Sequence, residues 1–233
     1  SSTGKARAAP APRNIIRRTA KGTSVQVAIP LFPRFTALDA IGPYEVLQRI
    51  PDVEVIFVGH RRGEVRADNG MLGVLCDVRF DELTAPDVLV VPGGVGTRTL
   101  LDDAELLDWV RTAHTHTRFT ASVCTGSLLL AAAGLLDGLT ATTHWSAVEL
   151  LEHLGARYVE QRVVEHLSQR IVTSAGVSSG IDMALRLVEL LADADTACAI
   201  QLLIEYDPQP PFDCGSLTKA GEDVRRRAAQ LRR

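Results

Sequence analysis

The chain has 233 residues, of which 46% are apolar and 23% are charged, and its formal net charge is −3. This composition is typical of a globular protein with a sizeable core, and no apolar run reaches the roughly 18 residues that a membrane span needs. The small net charge gives no indication of a nucleic-acid partner. The four cysteines form no C-x-x-C pair, which argues against a zinc module or a disulfide scaffold and favours a reducing, cytoplasmic setting.

The amino-terminal segment differs in composition from the rest of the chain. Residues 1–21 contain six Lys or Arg and no acidic residue, so residues 1–23 are predicted to form a flexible basic tail. Arg17 and Arg18 suggest a twin-arginine export signal, but the apolar stretch that follows is short and has the pattern of a strand. Residues 24–233 show no internal linker or repeat and are predicted to form a single domain.

Strand and helix patterns alternate from Ser24 onward. Strands are predicted at "SVQVAIPLF", "VEVIFVG", "DVLVVPGG", "RFTASV" and "QRIVTSAG", and one or two antiparallel strands at "EVRADNGMLGVLCDVRF". Helices are predicted at "ALDAIGPYEVLQRI" (with Pro43 near its first turn), "DDAELLDWVRTAHTH", "TGSLLLAAAGLL", "VSSGIDMALRLVELLA", "TACAIQLLIEY" and a final basic segment to Arg233. The alternation predicts an α/β fold with a mostly parallel sheet and helices on both faces.

Cys124 lies between a predicted strand and a predicted helix. In parallel α/β sheets, functional residues lie beyond the carboxyl ends of the strands, and a tight strand-to-helix turn holds its first side chain out of the sheet as a nucleophile elbow. Free N–H groups and the helix dipole at such a turn favour a thiolate, so we expect a pKa below the free value of roughly 8.5. The other cysteines lack this setting, and Cys198, within an apolar helix, is predicted to be core.

Two further loops are predicted to reach the cysteine. The segment "VPGGVGTRTLL" lacks the Lys and Ser/Thr of a phosphate loop, so it is either a plain strand-to-helix turn or a set of amides, from Gly93, Gly94 and Val95, that form an oxyanion hole. Asp39 is either a helix-capping acid or a partner of the sulfur. In the second case the two groups share one proton, and the carboxylic acid donates to the thiolate.

These motifs resemble the ThiJ/PfpI superfamily, which has a flavodoxin-like, glutamine-amidotransferase-like fold. The resemblance rests on "SVCTGSLLLAAAGLLDGLTATTHW", "VPGG", "TSAGVSSGIDMAL" and "LDAIGPYEV". It covers about Val25 to Ser216 and is specific because these four separated motifs fall in the expected order along the chain. Asp39, "CTG" and "EYDPQPPFDCGS" are similar to the isonitrile hydratases of that superfamily. These enzymes hydrate R–N≡C to an N-substituted formamide, need no metal or organic cofactor, and are usually homodimers.

The resemblance implies roles for individual residues. Cys124 is the implied nucleophile and Asp39 the general acid and base. Thr125 is implied to orient Asp39 or water through its hydroxyl, or to serve through its backbone N–H. The implied chemistry passes through a thioimidate on Cys124. His144 stands where several relatives have a histidine near the cysteine, and both a catalytic role and a structural bond within "ATTHW" remain open. The implied partners are a small-molecule substrate and a second copy of the chain, without nucleic acid or membrane.

Two other classes of protein share parts of this pattern. Glyoxalase III or deglycase-type enzymes act on 2-oxoaldehydes, but they usually pair Glu with a clear Cys/His couple, against which Asp39 and "CTG" count. Sensor domains of AraC-type regulators share "CTGSLLLAAAGLL" and "ATTHW" and continue into two helix-turn-helix units, which the single basic helix after Ser216 is not expected to provide. A low-pKa cysteine is also a candidate oxidation sensor.

Overall fold

The computed structural model describes residues 24–231, so the predicted basic tail (1–23) lies outside the described residues. The strands are β1 (Val25–Pro30), β2 (Val53–Gly59), β3 (Gly63–Arg66), β4 (Gly73–Cys76), β5 (Val78–Arg79), β6 (Val88–Val91), β7 (Phe119–Val123), β8 (Thr140–Ala141), β9 (Arg157–Tyr158), β10 (Val163–His166) and β11 (Ile171–Ser174). The helices are α1 (Ala37–Leu47), α2 (Ala104–His116), α3 (Gly126–Ala132), α4 (Val148–His153), α5 (Ser179–Leu191), α6 (Ala194–Leu203) and α7 (Glu222–Leu231).

The central sheet has seven strands in the order β10-β11-β7-β6-β1-β2-β5. Only the edge pair of β10 and β11 is antiparallel, and the other neighbours are parallel. β6, with the sequence VLVV, is buried at every position. This burial on both faces explains why a continuous apolar run, rather than an alternating pattern, marks the strand in the sequence.

Helices cover both faces of the sheet. The chain moves from β1 to β2 through α1 in one direction along the sheet, and from β6 to β7 through α2 in the other. Because parallel crossovers are right-handed, α1 and α2 lie on opposite faces. α1 packs against α5, while α2 and α4 pack against α3. The predicted flavodoxin-like three-layer architecture is therefore confirmed. No helix among residues 24–231 is long and apolar enough to cross a membrane.

The prediction for Pro43 is wrong. α1 begins at Ala37, so Pro43 is its seventh residue rather than part of the first turn. A proline at this position has no N–H to donate to the carbonyl of Asp39, four residues earlier. Burial of Val46 and Leu47 in the core offsets this loss, and the helix continues to Leu47.

The antiparallel strands predicted after β2 form a separate hairpin of β3 and β4. The turn of the hairpin lies against the loop that follows β1, where Ala67 bridges to Phe35 and the N–H of Asp68 donates to the carbonyl of Phe35 at 2.9 Å. The hairpin therefore reaches the side of the sheet formed by the carboxyl ends of the parallel strands.

Residues 140–166 contain elements that the sequence patterns did not predict. β8 and β9 pair with each other over two residues each, α4 lies between them, and β10 is the antiparallel edge strand. Elements this short contain too few residues for a periodic pattern to be visible.

Gly126 allows a very close backbone approach between α3 and β6. A Cβ atom on this residue would lie 2.1 Å from the carbonyl oxygen of Val91 in β6. We expect Gly126→Ala to lower the free energy of unfolding by about 3 kcal/mol or more, since neither backbone can move without disrupting the sheet. Urea denaturation measures this effect, with Gly221→Ala as control because its added methyl group meets nothing within 4 Å. Equal midpoints for the two variants would contradict this packing.

Candidate active site

Cys124 occupies a strained turn between β7 and α3. Its φ of 57° is in the left-handed region, which residues other than glycine rarely adopt. Three contacts hold the turn in place: the Cys124 N–H donates to the carbonyl of Ala175 at 2.9 Å, and its carbonyl accepts bonds from the hydroxyls of Thr143 at 3.1 Å and Ser127 at 3.2 Å. The predicted nucleophile elbow is thus present as a backbone conformation.

Asp39 lies beside this elbow and is fully buried. Its Oδ2 accepts a hydrogen bond from the N–H of Gly93 at 2.9 Å, and its Oδ1 has no nitrogen or oxygen partner. The Cys124 side chain interacts with the carboxyl closely enough that each group shifts the pKa of the other. Asp39 is therefore a partner of the sulfur, and it does not cap α1, whose N-cap residue is Thr36.

Both groups of the pair have pKa values above the ordinary values for aspartate and cysteine. Burial raises the pKa of the Asp39 carboxyl from 3.8 to about 7, despite the bond from Gly93. Burial and the charge of Asp39 raise the pKa of the Cys124 thiol above its ordinary value, although the N–H groups of Val177 and Thr125 bond to the sulfur and act in the opposite direction. Below about pH 7 the pair carries two protons, and above it one.

The expected lowering of the Cys124 pKa is therefore wrong. The amides of the turn do reach the sulfur, as expected. However, the side chain is 4% exposed and faces a carboxyl, so loss of solvation and like-charge repulsion outweigh the amides. Above about pH 7 the pair holds one proton, as expected, but the thiol has the higher pKa and keeps it. The thiol therefore donates to the Asp39 carboxylate, and the predicted donation from carboxylic acid to thiolate is wrong.

The amides predicted to form an oxyanion hole have other partners. The N–H of Gly93 bonds to Asp39 and that of Gly94 to the Thr125 hydroxyl at 2.8 Å, while that of Val95 acts on the carboxyl of Asp68 and lowers its pKa. These contacts do not match the predicted role, because each N–H already fixes a side chain of the site. A Cβ atom on Gly93 would lie 2.5 Å from the Thr125 nitrogen and 2.9 Å from Asp39 Oδ2, so the loop needs glycine here.

Thr125 joins two of the loops. Besides accepting from Gly94 N–H, its hydroxyl donates to the Gly94 carbonyl at 3.1 Å, and Thr97 Oγ1 lies 3.3 Å away. The hydroxyl is thus bonded to the glycine loop rather than to Asp39. Thr125 contributes its backbone N–H to the sulfur of Cys124.

His144 forms the structural bond that was one of its two predicted roles. Its Nδ1 accepts from the N–H of Ser146 at 3.2 Å and so caps the short helix Trp145–Ala147, and it also lies 2.8 Å from the Ser146 hydroxyl. The ring also stacks on Trp145, with centroids 5.2 Å apart. His144 nevertheless lines the cavity that contains Cys124, so its imidazole is within the site.

A cavity of about 600 Å³ opens above the cysteine. Cys124 and Thr125 line it, together with residues from separate parts of the chain, including two near the end of α7. The remaining lining residues are Thr36, Asp68, Asn69, Gly94, Val95, Arg98, His144, Ser146, Val177, Ala229 and Leu231. The volume is sufficient for a small organic molecule.

Asp68 is a site residue that the sequence did not indicate. It belongs to the turn between β3 and β4, lines the cavity and interacts electrostatically with Asp39. The pattern around it, "RADNG", is an ordinary turn sequence. Only the folded hairpin brings it to the site.

The remaining cysteines are not near this pair. Cys76 is buried, and desolvation raises its pKa to about 11. Cys198 and Cys214 are exposed, so the prediction that Cys198 belongs to the core is wrong; it lies on the outer side of α6. Among residues 24–231 no group of three His, Cys, Asp or Glu side chains could hold a metal ion.

The fold and site define a class of α/β protein in which a cysteine on a strand-to-helix elbow faces a buried carboxyl group. The DJ-1/PfpI family model matches residues 25–190. The chain belongs to the DJ-1/PfpI family.

Individual relatives extend this similarity. The chain is 42% identical over 210 residues to isonitrile hydratase from Pseudomonas putida, covering 88% of this chain and 91% of that protein. A crystal structure of a ThiJ/PfpI family protein from Pseudomonas syringae matches with a TM-score of 0.85 and 34% identity, covering 97% of this chain and 93% of that one. The HTH-type transcriptional regulator CdhR from Pseudomonas aeruginosa is 36% identical over 127 residues, covering 54% of this chain and 37% of the regulator.

The raised pKa of Asp39 makes the protein less stable as the pH rises. The folded state holds the proton to about pH 7, whereas an unfolded aspartate releases it near 3.8, so this contribution to stability is complete below pH 4 and is lost between about pH 4 and 7. We expect Asp39→Asn, which keeps an acceptor for Gly93 N–H, to be more stable than wild type at pH 8 by up to about 4 kcal/mol. The difference should shrink toward pH 4.

Urea denaturation at both pH values measures this difference. Asp108→Asn is a matched control, because Asp108 is an exposed residue of α2. Equal stabilities of wild type and Asp39→Asn at pH 8 would show that the buried carboxyl carries no such cost.

Proposed function

We propose that the protein is an isonitrile hydratase, a lyase that converts R–N≡C and water to R–NH–CHO without a metal or organic cofactor. The 42% identity to the Pseudomonas putida enzyme over nearly the whole of both chains supports the reaction. The observation that carries the mechanism is the Cys124 thiol, which lines the cavity, against the buried Asp39 carboxyl.

In the first step, the sulfur and the hydrogen of the thiol both add to the terminal carbon of the isonitrile. Asp39 takes the proton from Cys124 as the sulfur attacks that carbon, and then donates the proton to the same carbon. The product is a thioimidate, R–N=CH–S–Cys124, and Asp39 is left as a carboxylate. Because the thiol pKa is raised, transfer of the proton to Asp39 accompanies the attack rather than preceding it.

The second step uses one water molecule. Its oxygen adds to the thioimidate carbon, one of its protons passes to Asp39, and Asp39 delivers a proton to the nitrogen, giving R–NH–CH(OH)–S–Cys124. The C–S bond then breaks with its electron pair on sulfur, and the hydroxyl proton returns through Asp39 to Cys124. The balance is one isonitrile and one water consumed and one formamide released.

The surroundings of the pair suit this sequence of proton transfers. The N–H groups of Thr125 and Val177 stabilise negative charge on the sulfur during attack and departure. The N–H of Gly93 fixes Oδ2 of Asp39, which leaves Oδ1 without a nitrogen or oxygen partner and available for the moving proton. His144, held by Ser146, serves as part of the cavity wall in this proposal.

We further propose that the enzyme is a cytoplasmic homodimer, as the resemblance implies. Light scattering of the purified chain measures the dimer directly, and a monomeric mass at micromolar concentration would contradict it.

Substitution of the pair tests the activity. We expect Cys124→Ala to lower kcat/KM for cyclohexyl isonitrile, followed as formamide formation, by at least about 10⁴-fold, and Asp39→Ala by about 10²–10⁴-fold. Cys198→Ala serves as control, because this cysteine is exposed on α6 and should leave the rate unchanged. Activity on methylglyoxal but not on isonitriles would contradict this proposal and would favour a glyoxalase-type enzyme that acts on 2-oxoaldehydes.

The pH dependence tests the protonation state. The reactive pair holds one proton, so kcat/KM should rise with pH through a midpoint of about 7, where the doubly protonated pair loses its first proton. Stopped assays from pH 5 to 9 measure the midpoint. A rate that is independent of pH across this range would show that the first proton loss of the pair is not linked to catalysis.

A further inference from the structure

The turn of the β3–β4 hairpin places Asp68 beside the catalytic pair. The hairpin is not part of the central sheet, yet backbone bonds seat its turn on the loop after β1: Asp68 N–H donates to Phe35 O at 2.9 Å, and Arg34 N–H to Arg66 O at 2.9 Å. Asp68 consequently lines the same cavity as Cys124.

The Asp68 carboxyl connects two active-site loops. It accepts a bond from the hydroxyl of Thr36 at 3.2 Å, in the loop that leads into α1 and Asp39. The N–H of Val95, two residues after Gly93, also acts on this carboxyl and lowers its pKa. The two loops meet again where Thr36 N–H donates to the Gly93 carbonyl at 2.8 Å. Asp68 thus holds the loop that leads to Asp39 against the loop that contains Gly93, whose N–H bonds to the Asp39 carboxyl.

The charge of Asp68 also acts on Asp39. The two carboxyls repel each other when both are ionised, which favours retention of the Asp39 proton. Cys124 contacts Asp39 from the elbow, Arg34 acts on Asp68, and Arg98 and His144 line the cavity. The titratable side chains on elements packed against α1 have partners of their own: they are Asp182, Arg186 and Glu189 on α5 and Glu54 on β2.

We propose that Asp68 is a positioning residue of the active site. It connects the loop that leads into α1 and Asp39 to the loop that contains Gly93, and its negative charge favours the form of the Cys124–Asp39 pair that carries two protons. The fastening and the charge are separable, because an amide keeps an oxygen that accepts from the Thr36 hydroxyl but removes the charge. The proposal rests on the proposed function for its kinetic readout only.

Two substitutions separate the two roles. Asp68→Asn should move the midpoint of the kcat/KM pH profile downward by roughly half a unit or more, because ionisation of Asp39 no longer meets a like charge. Asp68→Ala should show the same displacement and, in addition, a kcat/KM at pH 8.5 roughly tenfold below that of Asp68→Asn, because the loops lose their connection. A midpoint unchanged in Asp68→Asn would overturn the electrostatic role, and equal rates for the two variants at pH 8.5 would overturn the positioning role.

Asp87→Asn is the matched control. Asp87 also accepts a backbone N–H, from Gln26 at 2.8 Å, but it precedes β6 at the opposite end of the sheet from the elbow. This variant should keep the wild-type midpoint and rate. A displacement as large as that of Asp68→Asn would show that the effect comes from net charge rather than from position.

A second readout does not depend on the substrate. The infrared C=O band of the Asp39 carboxyl, assigned by difference from Asp39→Asn and followed as the pH is raised, reports the first proton of the pair directly. Its midpoint should fall in Asp68→Asn and stay in Asp87→Asn. If wild type hydrates no isonitrile but the infrared midpoints behave in this way, the proposed function fails and the role of Asp68 stands. Unchanged infrared midpoints in a protein that does hydrate isonitriles would have the reverse meaning.

Discussion

The site depends on keeping a carboxyl group buried against a thiol. Asp39 has no exposed surface and one backbone hydrogen bond, so its charged form is costly and its pKa rises to about 7. The backbone around Asp39 and Cys124 makes this contact possible. Gly93 has no side chain because any Cβ would displace Asp39 or Thr125, and the turn at Cys124 adopts a left-handed conformation that brings the sulfur to the carboxyl. A strained turn and a buried acid both lower stability, which is typical of functional sites.

The topology of the sheet explains how distant residues meet. Strands β7, β6 and β1 are neighbours, and the segments that follow them carry Cys124, Gly93 and Asp39 in the same order, with Asp39 in the first turn of α1. The chain leaves β1 and β6 in opposite directions along the sheet, so the loops separate between these two strands and leave a crevice at the switch point. The hairpin of β3 and β4 closes one side of the crevice and contributes Asp68.

The sequence predicts the parts of this arrangement that come from strong local patterns. Composition and strand order predict three of these parts: the apolar run of β6, the elbow at Cys124, and the position of Asp39 after β1. The protonation of the pair does not, because the amides that lower the thiol pKa are visible as a turn pattern, whereas the burial that raises it depends on the packed structure. The exposure of Cys198 and the role of Asp68 were missed for the same reason: helix packing and hairpin docking are long-range contacts.

The same protonation distinguishes an enzyme from an oxidation sensor. A sensor cysteine needs a solvent-accessible thiolate, because peroxide reacts with the deprotonated sulfur. Cys124 is 4% exposed, and burial and Asp39 raise its pKa, so the free protein offers little thiolate to an oxidant. In the proposed reaction the sulfur loses its proton only while a carbon atom accepts its electron pair, with Asp39 as the immediate acceptor. A thiol protected at rest and activated within the substrate complex fits a catalyst that acts on a small electrophile, and it argues against a general sensor of oxidants.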